Sequence, residues 1–144
     1  MKRSVTLLFC LLFMVAFTIS CKKETVKIKE GLEGIWELRK ISGSWATLTY
    51  TPGSGNNIIF AGTHYEIREN GQLVESGEFE IVADATAVES TCLDIEAGKY
   101  TQRIDFKNAR YPQKVFLELS GNRLTLLSGC FALDGGSRRE YERQ

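Results

Sequence analysis

Histidine is nearly absent from this 144-residue chain, His64 being the single one, so a metal centre would have to be built almost without imidazole. Cysteine pairs at zinc spacing are missing too. There is no G-x-S-x-G elbow, no H-E-x-x-H pair and no glycine fingerprint for phosphate, which removes the usual signatures of hydrolases, metalloproteases and nucleotide enzymes. An excess of basic charge is also lacking. Lys and Arg total 18 against 18 Asp and Glu, which gives no electrostatic ground for a nucleic-acid partner. No stretch after residue 31 sustains a helical period. The longest apolar run, Val5 to Ile19, would measure about 22 Å as a helix, short of a hydrocarbon core of about 30 Å. These absences point to a non-enzymatic protein that needs no cofactor and no metal.

What the chain does have begins with Lys2 and Arg3 ahead of that apolar run, followed by Thr18-Ile19-Ser20-Cys21. A basic start, a short apolar middle and a small residue before the cut form a signal-peptide profile. The quartet resembles the lipobox of bacterial lipoproteins, although Thr18 stands where Leu is usual. The resemblance implies cleavage before Cys21 and acylation of its thiol and amino group. The expected organisation is a leader over 1–20, a lipidated tether over 21–30 rich in Lys and Glu, and one domain over 31–144. The partner so implied is the membrane, reached through the N-terminal lipid. The address is the bacterial cell envelope, with the outer membrane as the expected face. An uncleaved anchor is the plain alternative. Loss of Lys2 and Arg3 with the leader turns the even charge balance into a net of −2.

The same reading sorts the cysteines. Cys10 leaves with the leader and Cys21 carries the lipid, so Cys92 and Cys130 remain, and an exported chain with two cysteines to spare invites a disulfide. Two buried thiols are the alternative.

From Gly31 onward short alternating runs are separated by turn chemistry, which predicts an all-β fold of about eight strands. Trp36 and Leu38 share a face of a strand near 33–42. Strands near 57–69 and 72–82 flank Asn70-Gly71, a strong two-residue hairpin signal. That turn sets Ile67 opposite Val74. Phe79 and Ile81 have the opposite parity, so Ser76-Gly77 is a candidate bulge. A strand near 88–95 carries Cys92, and the next carries Tyr100, Ile104 and Phe106. After a loop at Asn108 to Gln113, Val115, Leu117 and Leu119 alternate, Gly121-Asn122 turns, Leu124 and Leu126 continue, and SRREYER near 137–143 ends the set. Such even spacing predicts an antiparallel up-and-down barrel, since closure removes unpaired edges.

Gly34-Ile35-Trp36 resembles the G-x-W motif on the first strand of lipocalins, and 31–143 looks like the small lipocalin-like domains of bacterial lipoproteins. The hairpin YEIRENGQLVESGEFEI, the pair LSGNRLTL and the close CFALDGGSRREYER add to the likeness. A Thr-Asp pair near a later turn, the family's second motif, is absent. The resemblance implies a barrel with one closed and one open end, with Arg143 lying across Trp36 at the closed end. It also implies an interior open to a small apolar molecule.

The loop from Ser42 to Asn57 is longer than a hairpin needs and brings Trp45, Leu48 and Tyr50 to the expected open end. With Tyr65, Phe79 and Phe106 they are the candidate ligand-binding residues. Folding back as a satellite core is their alternative fate. The expected function is a membrane-anchored, non-enzymatic binder or carrier of a small apolar molecule. Its rival is a barrel filled by Trp36, Phe60, Tyr65, Phe79, Phe106 and Phe116, acting as a structural or protein-interaction module of the envelope, since eight strands leave room for side chains or for one ligand. His64 with Glu66 or Glu78 reads as a rim pair rather than an acid–base couple.

Overall fold

Alternation of apolar and polar residues makes each strand two-faced, and here the apolar faces are gathered by closing the sheet on itself. The computed structural model describes Lys29, residues 31–43, 46–107, Ala109 and 113–144. The chain divides into Met1–Gly31 and Leu32–Gln144, and the second unit carries everything below. Its elements are β1 (Gly34–Gly43), β2 (Thr47–Thr49), β3 (Asn57–Ala61), β4 (His64–Glu69), β5 (Gln72–Ala83), α1 (Ala87–Thr91), β6 (Gln102–Phe106), β7 (Val115–Ser120), β8 (Arg123–Ser128), a single 3-10 turn at Phe131–Leu133, and β9 (Ser137–Arg143). Apart from β2, each strand pairs antiparallel with the next in sequence, and β1 pairs with both β3 and β9. Eight strands therefore close a barrel, and β2 extends its wall beside the far half of β1.

Several hairpins follow directly from turn chemistry. Asn70 and Gly71 both take positive φ between Glu69 and Gln72, and Gly121-Asn122 joins β7 to β8. The inner face is packed toward the end where β1 begins. Trp36, Ile58, Phe60, Ile104 and Leu124 are at most 2% exposed there, so this part of the barrel is filled.

The structure corrects the expected pattern at five places. The span 57–69 is two strands, because Gly62-Thr63 turns β3 into β4. The expected strand at 88–95 is the short helix α1 followed by loop, and Cys92 sits at its left-handed C-cap. Tyr100 has φ 52 and precedes β6 rather than alternating within it. The register slip of the second hairpin lies at Val74: Arg68 pairs with Leu73 and Ile67 with Glu75, so Val74 is the extra residue and not Ser76-Gly77. Gly77 instead lies opposite Tyr65, where an added Cβ would come within 3.1 Å of the ring. Lastly, Phe116 pairs with Leu127 and Arg103 on the outer face.

That outer face explains the helix. Ala87 and Thr91, one turn apart on α1, are buried, and Thr91 Oγ1 donates to the Ala87 carbonyl at 2.7 Å. Ala87 packs with Tyr100, Phe116 and Leu127, with Leu93, Ile95 and Phe131 around them. A disulfide between Cys92 and Cys130 ties this cover to the β8–β9 connection. The leader, Cys21 and the rest of the tether apart from Lys29, Trp45, and residues 108 and 110–112 of the expected loop lie outside the described residues.

Candidate functional site

The closed end is set by β1 and β9. Trp36 and Arg143 are register partners, and the guanidinium carbon of Arg143 lies 4.4 Å from the Trp36 ring centre. The indole N–H donates to the Leu32 carbonyl at 2.7 Å, and Arg143 Nη1 donates to the Glu33 carbonyl at 2.7 Å. Gly34 has φ 125, and a Cβ there would stand 3.3 Å from Arg143 Nη1. Glycine thus supplies both a backbone angle and clearance for the arginine. Every group here is engaged, so this end is a plug.

On the wall outside that plug, Glu37 is buried beneath the 50–56 segment, accepts from the Gly53 N–H at 2.7 Å and pairs with Arg39. Burial alone would raise its carboxyl, but hydrogen bonds from Arg39, Gln144 and Gly53 hold it below the ordinary value. Arg39 also binds Glu142 of β9 at 3.0 Å. Asp84 is 12% exposed and pairs with Lys114 at 3.0 Å and Arg103 at 3.1 Å. Burial opposes its charge, yet hydrogen bonds from Thr86 and Lys114 bring its carboxyl down to about 2. These are wall ties between elements. His64 and Glu78 lie 3.7 Å apart and are both exposed, as a rim pair. Among the described residues no group of three His, Cys, Asp or Glu is placed to hold a metal.

The open end is different. Two cavities, of about 430 Å³ and about 280 Å³, meet there and share Ile67 and Arg139. The larger is lined by Phe106, Val115 and Glu75 among others, the smaller by Ile41, Tyr50 and Tyr141. Another cavity, of about 660 Å³, lies on the outer wall among Glu118, Arg138 and Glu140 and is largely charged.

The sequence candidates divide around this mouth. Phe106 lines the larger cavity, with its ring 4.5 Å from that of Tyr65. Tyr65 is itself 2% exposed, and its hydroxyl donates to Glu75 at 2.6 Å. Burial, reinforced by that carboxylate, pushes its phenol well above the ordinary range, so it remains a donor. Phe79 stacks edge-on against Phe60 at 4.9 Å in the packed core, away from the mouth. Tyr50 lines the smaller cavity. Leu48 lies opposite Ile41 in the β1–β2 ladder and is 54% exposed, so β2 carries the apolar inner face beyond the rim as a lip. Trp45 cannot be placed among these, since it is outside the described residues.

Two mouth residues were not candidates at all. Glu75 turns inward because the slip at Val74 sets it opposite Ile67. Arg139 turns inward two residues before buried Tyr141, opposite Leu126 and Ile41. Period-two spacing from Tyr141 was a usable signal for Arg139, whereas nothing in the pattern displaced the slip to Val74.

Comparison with protein-family models, with curated proteins and with solved structures finds no match.

Proposed function

We propose that this chain is a lipid-anchored envelope protein whose barrel binds a small, largely apolar molecule at its open mouth without transforming it. The observation that carries the reading is the 430 Å³ cavity at the mouth, floored by Phe106, Ile67 and Val115, above a core that is otherwise packed. Its size falls in the ordinary range for small-molecule sites, about 300–1,000 Å³. The fold, an eight-stranded antiparallel barrel, is compatible with a lipocalin-like binder. The Cys92–Cys130 bridge fits an exported chain, since such bonds persist in oxidising compartments. Export in turn fits anchoring through Cys21 in the outer membrane.

The packed lower barrel favours one competing reading, a filled module that serves protein contacts in the envelope. The two part at the mouth. The full chain, held in amphipol, is titrated with an environment-sensitive fatty-acid-like probe. Saturable one-to-one binding is expected, and Ile67→Trp, which fills the mouth, should abolish it while leaving the melting temperature within a few degrees. Absence of saturable binding, or binding indifferent to Ile67→Trp, moves the weight to the interaction module. The anchor is tested separately. Mass spectrometry should find a lipid-modified N-terminal Cys21, and an unmodified Cys21 thiol in the exported protein would contradict the address.

A further inference from the structure

The mouth sets an apolar strip of Ile67, Phe106 and Val115 among charged side chains, Arg103, Asp105 and Lys114 around the larger cavity and Arg139 shared by both, and this mixture says more about the occupant than its volume does. The smaller cavity is lined by Arg139, Tyr141 and Tyr50, with Arg68, Asn56 and Asn57 at its edge. Arg139 is exposed although it faces inward, since it stands where the barrel opens. Of the nearby carboxylates, Glu75 is engaged by the Tyr65 hydroxyl at 2.6 Å, Glu140 by Lys40 at 3.8 Å and Glu142 by Arg39 at 3.0 Å, while Glu69 lines the smaller cavity beside Asn70. The Arg139 guanidinium stands beside the Tyr141 hydroxyl. Arg68 is held by Glu66 at 2.9 Å. The Asn57 side-chain oxygen is buried without a partner among the described residues.

Among the described residues the inward-facing Arg139 guanidinium has no carboxylate partner, although it stands beside Ile67 in the mouth of the barrel. A planar fork of N–H donors next to a phenol matches a carboxylate or another oxoanion. The larger cavity, which shares Ile67 and Arg139 with the smaller, continues over Phe106 and Val115, so a chain attached to that anion has an apolar bed.

We propose that the occupant is an amphipathic organic acid, its anionic head held by Arg139 beside Tyr141 and Tyr50 and its apolar part laid over Ile67, Phe106 and Val115. This rests on the binding reading above and adds the charge of the ligand to it. Glu75 and Glu69 in the same mouth make the opposite choice, an amphipathic cation, the specific rival.

The experiment titrates the full chain in amphipol with octanoate, octyl phosphate, octanol and octylamine by calorimetry, against wild type, Arg139→Gln and Arg139→Lys. Octanoate or octyl phosphate should bind about 10- to 100-fold tighter than octanol, the range expected of one charge-assisted hydrogen-bonded pair. Whichever of the two gains more identifies the head group. Arg139→Gln should erase that advantage, bringing octanoate and octyl phosphate level with octanol in the same protein, and Arg139→Lys should restore part of it. Equal binding of octanoate and octanol to the wild type, or an advantage that survives Arg139→Gln, overturns the proposal while leaving an uncharged carrier standing. Preference for octylamine overturns it in favour of Glu75 and Glu69. If none of the four binds, the binding reading itself has failed.

Discussion

Removing the Cys92–Cys130 bridge tests how the barrel wall is held. The two cysteines are 38 residues apart in sequence, and on the chain-entropy estimate, closing a loop of that size stabilises the fold by about 4 kcal/mol. That is a large part of the roughly 5–15 kcal/mol typical of a domain. The bridge also fastens α1, five residues long, over Phe116 and Leu127, both fully buried. A helix so short has no stability of its own, so its position depends on packing and on the bridge. In urea unfolding, the Cys92→Ala/Cys130→Ala variant should lose about 4 kcal/mol, and its melting point should fall by roughly 15 °C or more. Reductant should impose the same loss on the wild type and none on the variant. Hydrogen exchange near 87–95 should accelerate beyond the global change if α1 lifts away before the barrel opens. A loss below about 1 kcal/mol, or a reductant effect equal in both proteins, would refute the reasoning. The cover would then be held by packing alone.

At the closed end, Trp36→Ala should cost about 3–5 kcal/mol in chemical denaturation, because the ring is fully buried and the plug cannot collapse around the void. Arg143→Gln removes the cation from that ring and should cost roughly 0.5–2 kcal/mol in the same assay. Asp84 predicts a pH dependence. Its folded carboxyl is depressed from 3.8 to about 2, so its contribution is complete above about pH 4 and is lost as pH falls through 2. Stability measured from pH 6 to pH 2 should therefore show Asp84→Asn weaker than wild type at the upper end, with the gap closing toward pH 2.

Much of the barrel was legible because its turns and faces are chemically explicit. Asn70-Gly71 and Gly121-Asn122 mark two hairpins, and Leu117 with Leu119 and Leu124 with Leu126 mark one inner face. The helix was not legible, because Ala87 and Thr91 offer only one apolar turn, and that turn gains its stability from a wall outside the barrel. A trace of the covered wall was nonetheless present. Phe116-Leu117 and Leu126-Leu127 are adjacent apolar pairs, which a strand shows when both its faces are buried. At the mouth Glu75 and Arg139 were not legible as lining residues, because a charged side chain on a strand ordinarily marks its solvent face. Leu73 and Val74, 55% and 53% exposed, misled the parity of β5, since their apolar character belongs to the rim and not to the core.

The position of the mouth cavity follows from the hydrogen-bond ladder. β6 is paired with β5 along its whole length, from Gln102 to Phe106, but with β7 only from Gln102 to Ile104. Among the described residues the β6–β7 ladder ends at the Ile104–Val115 pair, and the two strands part beyond it. The larger cavity lies along that parting, with Phe106 on one side and Val115 on the other. Two further irregularities lie toward the same end. The β1–β9 register shifts between Leu38 and Lys40, and the β4–β5 register shifts between Ile67 and Arg68. An extra residue in one strand bends it and increases its local twist. The first shift sets Ile41 opposite Arg139, and the second sets Glu75 opposite Ile67. The irregularities that open the barrel are thus the same ones that turn its charged side chains inward. A regular ladder in this sequence would send Glu75 to solvent and face Val74 into the mouth. The charge in the opening is therefore set by the backbone register, and deleting Val74, which removes the extra residue but keeps Glu75 opposite Ile67, should straighten β5 while leaving both Glu75 and Arg139 in the mouth.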